Sequence, residues 1–171
     1  MKKILFYGYG NPGRQDDGLG ILFVERLERW VNERQIKSID FDSNYQLNIE
    51  DALTISDYDL VIFVDASVEE IMDFRLTRVE PNQKTEFTMH SMAPAFVLHL
   101  CQTLYGKFPR TYLLHLKGYK YDFMGEISQA AEKNLSEGID LFKRFITNSN
   151  NPLESIERYL ELKEETKTSL S

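Results

Sequence analysis

The sequence predicts a single three-layer α/β domain, in which helices cover both faces of a twisted, mostly parallel sheet of about five strands. Two observations lead to this prediction. Short apolar runs alternate along the chain with amphipathic segments of helical period, which is typical of sheets built from β-α-β units. A chain of 171 residues, of which 42% are apolar, is also long enough for one substantial core but short for two.

The first half of the chain supplies three of the expected strands. The apolar run 4–7 predicts the first strand, and apolar residues at helical spacing predict a helix over about residues 19–34. A second strand is expected over residues 36–42, followed by a short helix capped near Asn48. Residues 60–65 are continuously apolar until their final acid, which indicates a central parallel strand buried on both faces.

The second half continues the alternation of strands and helices. Residues 73–80 alternate apolar and polar side chains, as expected of a half-exposed strand at an edge of the sheet. A helix should then run to about Tyr105, with Ser91 as its cap and Pro94 in its first turn. Residues 111–119 predict a further strand, and residues 127–146 a long amphipathic helix.

The end of the chain differs in composition from the rest. Residues 1–147 are expected to form the α/β domain, whereas residues 148–171 read as a polar linker followed by a C-terminal helix or a partly disordered tail.

Composition excludes several classes of partner. The formal net charge is −7 and basic residues do not cluster, so we expect neither nucleic-acid binding nor attachment to a membrane surface. No stretch approaches the roughly 20 apolar residues that a membrane-spanning helix needs. The single cysteine, Cys101, excludes an internal disulfide and suits a reducing compartment. These features predict a cytoplasmic protein.

The first candidate for a site is the loop of residues 8–20, whose sequence is GYGNPGRQDDGLG. It lies between the first strand and the first helix, and its glycines allow sharp turns. Asp16 and Asp17 therefore follow the carboxyl end of a strand, where open α/β sheets bind their ligands.

Two further polar residues occupy comparable positions. Asp65 ends the central strand, and His90 lies in the loop before a helix or at its very start. Since the carboxyl ends of parallel strands meet at one edge of a sheet, Asp17, Asp65 and His90 are expected to converge. Two carboxylates and an imidazole would suit nickel, zinc or a similar divalent ion, with coordination positions left open.

Structural roles for the same residues stay open at this point. Asp65 could cap the segment that follows it, and Asp16 or Asp17 could cap the first helix. His90 could be a solvated loop residue. It is the joint placement of these residues, rather than any one of them, that favours a site.

The glycines also permit a nucleotide interpretation, because Gly8-x-Gly10-x-x-Gly13 matches the dinucleotide fingerprint. Two features weigh against it. Pro12 removes a backbone donor, and the adjacent acids would repel a pyrophosphate at the helix N-terminus. Nucleophilic catalysis has less support, since Cys101 lies mid-helix among apolar residues and no Gly-x-Ser-x-Gly motif occurs.

Taken together, residues 8–20, the strand end Asp65-Ala66 and the segment 89–92 resemble the hydrogenase maturation endopeptidases. Members of that family remove a C-terminal extension from the large-subunit precursor of nickel-iron hydrogenases after nickel has been inserted. The resemblance covers roughly residues 1–146, and its first motif is highly specific.

The resemblance implies a set of roles. The family's metal-contacting residues fall on Asp17, Asp65 and His90, with Asp16 either a proton acceptor or a helix cap. It also implies that nickel arrives with the precursor and is not stably bound by the peptidase. Residues 42–51 depart from the family's glycine-rich turn and resemble the branch that serves cytoplasmic, NAD-linked bidirectional hydrogenases. The alternative function is a non-catalytic module that binds a nucleotide or holds the precursor.

Overall fold

The computed structural model describes residues 2–83, 92–148 and 150–169. Five strands form one sheet: β1 Ile4–Tyr9, β2 Ile39–Asn44, β3 Leu60–Ser67, β4 Phe74–Arg78 and β5 Arg110–Lys117. Five α-helices accompany them: α1 Leu19–Glu33, α2 Asp51–Ile55, α3 Pro94–Tyr105, α4 Gln129–Thr147 and α5 Pro152–Ser169. A 3-10 turn over Gln15–Gly18 leads directly into α1.

The strands lie in the order β2-β1-β3-β5-β4. The first three pairings along this order are parallel, whereas β4 pairs antiparallel with β5 at the edge of the sheet. Both strand predictions that depended on burial are confirmed. The continuously apolar run forms the central strand β3, and the alternating run forms the edge strand β4.

Helices cover both faces of the sheet, so the three-layer α/β prediction is confirmed. Helices α1, α4 and α5 pack on one face, where Phe142 of α4 meets the rings of Phe6 and Phe23 edge-on at centroid distances of 5.4 and 5.7 Å. Helices α2 and α3 pack on the opposite face against the alternate residues of the same strands, such as Leu5 and Phe63. Successive strand residues point to opposite faces, and helices cover both faces, which is why the central strand is apolar from Leu60 to Val64.

Strand β2 begins later than the sequence predicted, at Ile39 rather than at residue 36. Gln35 and Ser38 have positive φ values of 54° and 73°. These left-handed residues close α1 and turn the chain before pairing with β1 starts.

The cap predicted near Asn48 is wrong. Helix α2 begins at Asp51, and no side chain caps its N-terminus. The Asp51 carboxylate instead accepts hydrogen bonds from the Asn48 backbone N–H at 2.7 Å and from the Tyr7 hydroxyl at 2.8 Å. The acid that starts the helix therefore ties the preceding loop to β1.

Two later helices start one or a few residues away from their expected positions. Helix α3 has Ala93 at its N-cap, and the predicted cap Ser91 lies outside the described residues. Helix α4 begins at Gln129, where the Ser128 hydroxyl accepts a hydrogen bond from the Ala131 backbone N–H at 3.2 Å. Ser128 is thus a side-chain cap of the ordinary kind.

Helix α5 belongs to the core in its first half. Ile156 is 1% exposed and lies in the same apolar cluster as α1 and α4, while Leu162, further along the helix, is 55% exposed. No helix in the described part of the chain combines the length and hydropathy needed to cross a membrane.

The packing of α5 can be tested with a matched pair of substitutions. Ile156→Ala should lower the free energy of unfolding by about 2–4 kcal/mol, because it empties a fully enclosed site. Leu162→Ala on the same helix should change it by less than about 0.5 kcal/mol. Urea denaturation followed by circular dichroism measures both, and equal effects would show that α5 does not pack on the domain.

Candidate active site

The glycine loop turns sharply as it leaves β1. Gly10 has a φ of 136°, and a Cβ atom there would collide with the backbone oxygen of Asp17. Only glycine accepts both constraints. The turn brings the Asp17 carboxylate back over the strand end, where its Oδ2 atom accepts a hydrogen bond from the Asn11 backbone N–H at 3.0 Å.

Helix α1 starts in close contact with the ends of β1 and β3. A Cβ atom on Gly20 would collide with the Val64 backbone oxygen and lie 2.8 Å from that of Tyr9. The absence of a side chain lets the first turn of the helix approach both strands. Asp17, which lies in the 3-10 turn two residues before the helix begins, is therefore held next to the end of β3.

Asp65 lies on β3 and points to the same face as Phe63, the face covered by α2 and α3. Its carboxylate accepts hydrogen bonds from the Tyr9 hydroxyl and from the Ala66 backbone N–H. The pKa of Asp65 is nevertheless raised to about 7, first by burial and then by the negative charge of Asp17. The structure thus brings Asp17 and Asp65 together, as the sequence predicted.

Two carboxylates that repel one another in a partly buried site favour a cation, because a positive charge stabilises both ionised forms. Oxygen ligands suit a divalent ion, and an imidazole would make the set borderline. Within the described residues no group of three or more His, Cys, Asp and Glu side chains is placed to hold a metal. His90 lies outside those residues, so its part in the site stays a prediction.

Asp16 has a different environment from its neighbour and is 0% exposed. Its Oδ2 atom accepts hydrogen bonds from the backbone N–H groups of Tyr119 and Lys120 at 2.7 and 3.0 Å. Both of its oxygens also contact Ser128, with Oδ1 accepting from the backbone N–H and Oδ2 from the hydroxyl, each at 2.7 Å. Asp16 therefore clamps the glycine loop to the segment between β5 and α4.

The expectation that Asp16 caps the first helix is wrong. Helix α1 has Gly18 at its N-cap, with no side-chain hydrogen bond, and the 3-10 turn before it has none either. Burial by itself would raise the pKa of Asp16, but hydrogen bonds from Ser128, Tyr119 and Lys120 outweigh it and lower the pKa. Asp16 is a buried, charged carboxylate whose oxygens are occupied by protein donors.

The histidine on strand β5 has a local partner. His115 on β5 lies in register with Asp65 and Arg75. Its Nε2 atom is 2.9 Å from the Thr77 hydroxyl oxygen, and its pKa is lowered by burial and by the charge of Arg75. Cys101 is buried within α3 and its pKa is raised by burial, the opposite of the lowered pKa that activates a thiol.

Sequence reasoning missed two tyrosines at the site. Tyr9 ends β1 and holds Asp65, and a signal for it existed, because Leu5, Tyr7 and Tyr9 alternate onto one face of the strand. Tyr121 lies in the loop after β5, and the charges of Asp16, Asp17 and Asp65 contribute to its raised pKa. Nothing local in its sequence neighbourhood indicated that position.

Comparison with known proteins is informative at the level of structure. No protein-family model matches the chain, and no curated protein matches it either. Solved structures do resemble it, among them a [NiFe] hydrogenase maturation protease, HycI, from Thermococcus kodakarensis KOD1, at 21% identity and a TM-score of 0.65 over 82% of this chain and 89% of that one.

Two further solved structures agree with this likeness. The hydrogenase maturating endopeptidase HybD from E. coli matches at 20% identity and a TM-score of 0.62, over 81% of this chain and 88% of that one. The hydrogenase 2 maturation peptidase from a Thaumarchaeota archaeon matches at 22% identity and a TM-score of 0.59, over 82% and 95%. The chain is thus a three-layer α/β protein with an acid pair at the carboxyl edge of its sheet. Its fold is that of the [NiFe] hydrogenase maturation proteases.

The clamp made by Asp16 should contribute measurably to stability. Asp16→Asn should lower the free energy of unfolding by about 2–3 kcal/mol, because an amide nitrogen would replace one acceptor facing N–H and O–H donors. Asp122→Asn, an exposed change in the same segment, should cost less than about 0.5 kcal/mol. Thermal or urea unfolding gives both values, and an unchanged stability for Asp16→Asn would contradict the clamp.

Proposed function

We propose that this protein is an endopeptidase that removes the C-terminal extension of a nickel-iron hydrogenase large-subunit precursor after nickel insertion. One observation carries the proposal. The fold of the hydrogenase maturation proteases brings Asp17 and Asp65, two of the three residues that their motif implies, to one site at the carboxyl edge of the sheet. Neither acid is neutralised by a cation of the described part of the chain.

Nickel enters this proposal as part of the substrate. The precursor would carry the ion into the site, where Asp17, Asp65 and His90 would supply two carboxylates and one imidazole to it. A metal ion in such a position polarises a carbonyl and lowers the pKa of a bound water. Selectivity for loaded precursor follows, because the nickel carried by the precursor would activate the attacking water.

In this proposal, the hydrogen bonds to Asp17 and Asp65 orient the two carboxylates for the substrate. The Asn11 backbone N–H holds one oxygen of Asp17, and no hydrogen bond from the described residues occupies the other, which would face the substrate. The Tyr9 hydroxyl orients Asp65 in the same way. Preorganised carboxylates need not rearrange when the precursor binds, which lowers the cost of reaching the reactive geometry. Asp16 has no such free oxygen, so we assign it to the scaffold and not to proton transfer.

The choice of precursor is assigned to the loop between β2 and α2. Tyr45 and Ile49 are large and exposed there, which favours a contact surface. Its sequence resembles that of the branch serving NAD-linked bidirectional hydrogenases, and we infer a precursor of that kind. A cytoplasmic location is part of the same proposal and is supported by the single, buried, unpaired cysteine.

The site makes a direct prediction for activity. Asp17→Asn, Asp65→Asn and His90→Ala should each lower the rate of processing of nickel-loaded precursor by at least about 100-fold, since each removes one ligand. Asp57→Asn, an exposed change that precedes β3 at the opposite edge of the sheet, should process at the normal rate. Gel shift and mass spectrometry of the precursor measure the rates, and normal cleavage by any of the three variants would remove that residue from the site.

Nickel dependence separates the peptidase from a module that only holds its partner. Incubation with nickel-loaded precursor should shorten the precursor at its C-terminus, whereas precursor produced without nickel should keep its full mass. A loaded precursor that binds and yet stays intact would support the holding module. Equal cleavage of loaded and nickel-free precursor would support a peptidase that does not need the metal.

A further inference from the structure

The segment between β5 and α4, residues 118–128, is fixed by the glycine loop at several points. Asp16 binds it through four side-chain hydrogen bonds, and the Asp16 backbone N–H also donates to the Lys120 carbonyl at 3.0 Å. The Arg14 guanidinium donates to the Tyr121 carbonyl at 3.2 Å. Since residues on both sides of Tyr121 are anchored, the backbone of this residue has little freedom.

The side chain of Tyr121 is held as firmly as its backbone. Its hydroxyl donates a hydrogen bond at 3.2 Å to the carbonyl of Ser67, the last residue of β3. The same carbonyl accepts from the Gly118 backbone N–H at 3.0 Å. Ser67 belongs to the strand that carries Asp65, so the phenol lies at the end of the strand that supplies half of the acid pair.

Two sets of contacts place this phenol near the acid pair: its hydroxyl binds the carbonyl of Ser67, two residues after Asp65 on β3, and its loop is held by Asp16, the neighbour of Asp17. The pKa of the phenol is raised to about 12 by burial and then by Asp16, Asp17 and Asp65, in that order. The phenol is therefore neutral and protonated at any physiological pH. Because its proton is directed to the Ser67 carbonyl, the oxygen can act towards a further group only as an acceptor, and no donor within the described residues occupies it.

We propose that Tyr121 is a substrate-positioning residue, whose hydroxyl oxygen accepts a hydrogen bond from a backbone N–H of the peptide segment bound at Asp17 and Asp65. This inference rests on the proposed peptidase function and extends it to a residue outside the ligand set. An N–H donor is the group that fits this position, because the phenol's own proton is directed to the Ser67 carbonyl and its oxygen can therefore only accept. Asp16 acts through Tyr121 by holding its loop.

The test is the substitution Tyr121→Phe, assayed on the nickel-loaded precursor. Loss of one substrate hydrogen bond should raise KM about five- to tenfold and leave kcat within about twofold, since the contact is made before and during the reaction. The matched control is Tyr105→Phe, an exposed tyrosine at the end of α3, which should leave both constants unchanged. Thermal unfolding of both variants should stay near that of the original protein.

A purely structural role would give a different result. A partly unfolded Tyr121→Phe population would lower kcat in proportion to the active fraction and leave KM unchanged, and that outcome would overturn the inference. Unchanged values of both constants would overturn it as well. If the original protein does not cleave the loaded precursor at all, the proposed function fails, and this inference fails with it.

A double substitution tests the link to Asp16. Asp16→Asn should raise KM in the original background by about as much as Tyr121→Phe does, and by less than about twofold further when Tyr121 is already Phe. That lack of additivity is expected if Asp16 acts through the phenol. Independent, multiplying effects on KM would show that Asp16 does not act through Tyr121, and would overturn that part of the inference.

Discussion

The buried carboxylate of Asp16 is the interaction on which the arrangement of the site depends. It joins the loop after β1 to the loop after β5 through four hydrogen bonds. Two of these come from Ser128, the residue that caps α4. A buried charge is costly unless donors surround it. Here the donors come from the segment between β5 and α4, so one buried charge joins the two loops beside the edge of the sheet at which Asp17 and Asp65 meet.

The two neighbouring acids of the glycine loop, Asp16 and Asp17, therefore have different environments and different roles. Asp16 is enclosed and satisfied, and its pKa is lowered by its donors. Asp17 has only one of its oxygens bonded within the described residues, and its charge raises the pKa of Asp65. A scaffold that forces two carboxylates together stores electrostatic repulsion, which a cation removes on binding. The same arrangement argues against a phosphate ligand, whose charge would add to the repulsion.

Several elements were predictable because their cause is local. The run over β3 has no polar position before Asp65, so its burial on both faces follows from the pattern alone. The placement of Asp17 and Asp65 at one edge follows from the parallel topology. The start of β2 was predicted wrongly, because Gln35 and Ser38 adopt left-handed conformations and neither is the glycine that would have indicated a turn in the sequence.

The sequence by itself determined the fold class, the central strand and the placement of Asp17 and Asp65 at one edge of the sheet, since each depends on hydrophobic period and on position along a strand. Only the tertiary structure decided what Asp16 and Tyr121 do. The donors to Asp16 lie 103 to 112 residues away along the chain, and the partner of the Tyr121 hydroxyl lies 54 residues away. Contacts over such separations exist only after the strands have assembled, and no local pattern encodes them.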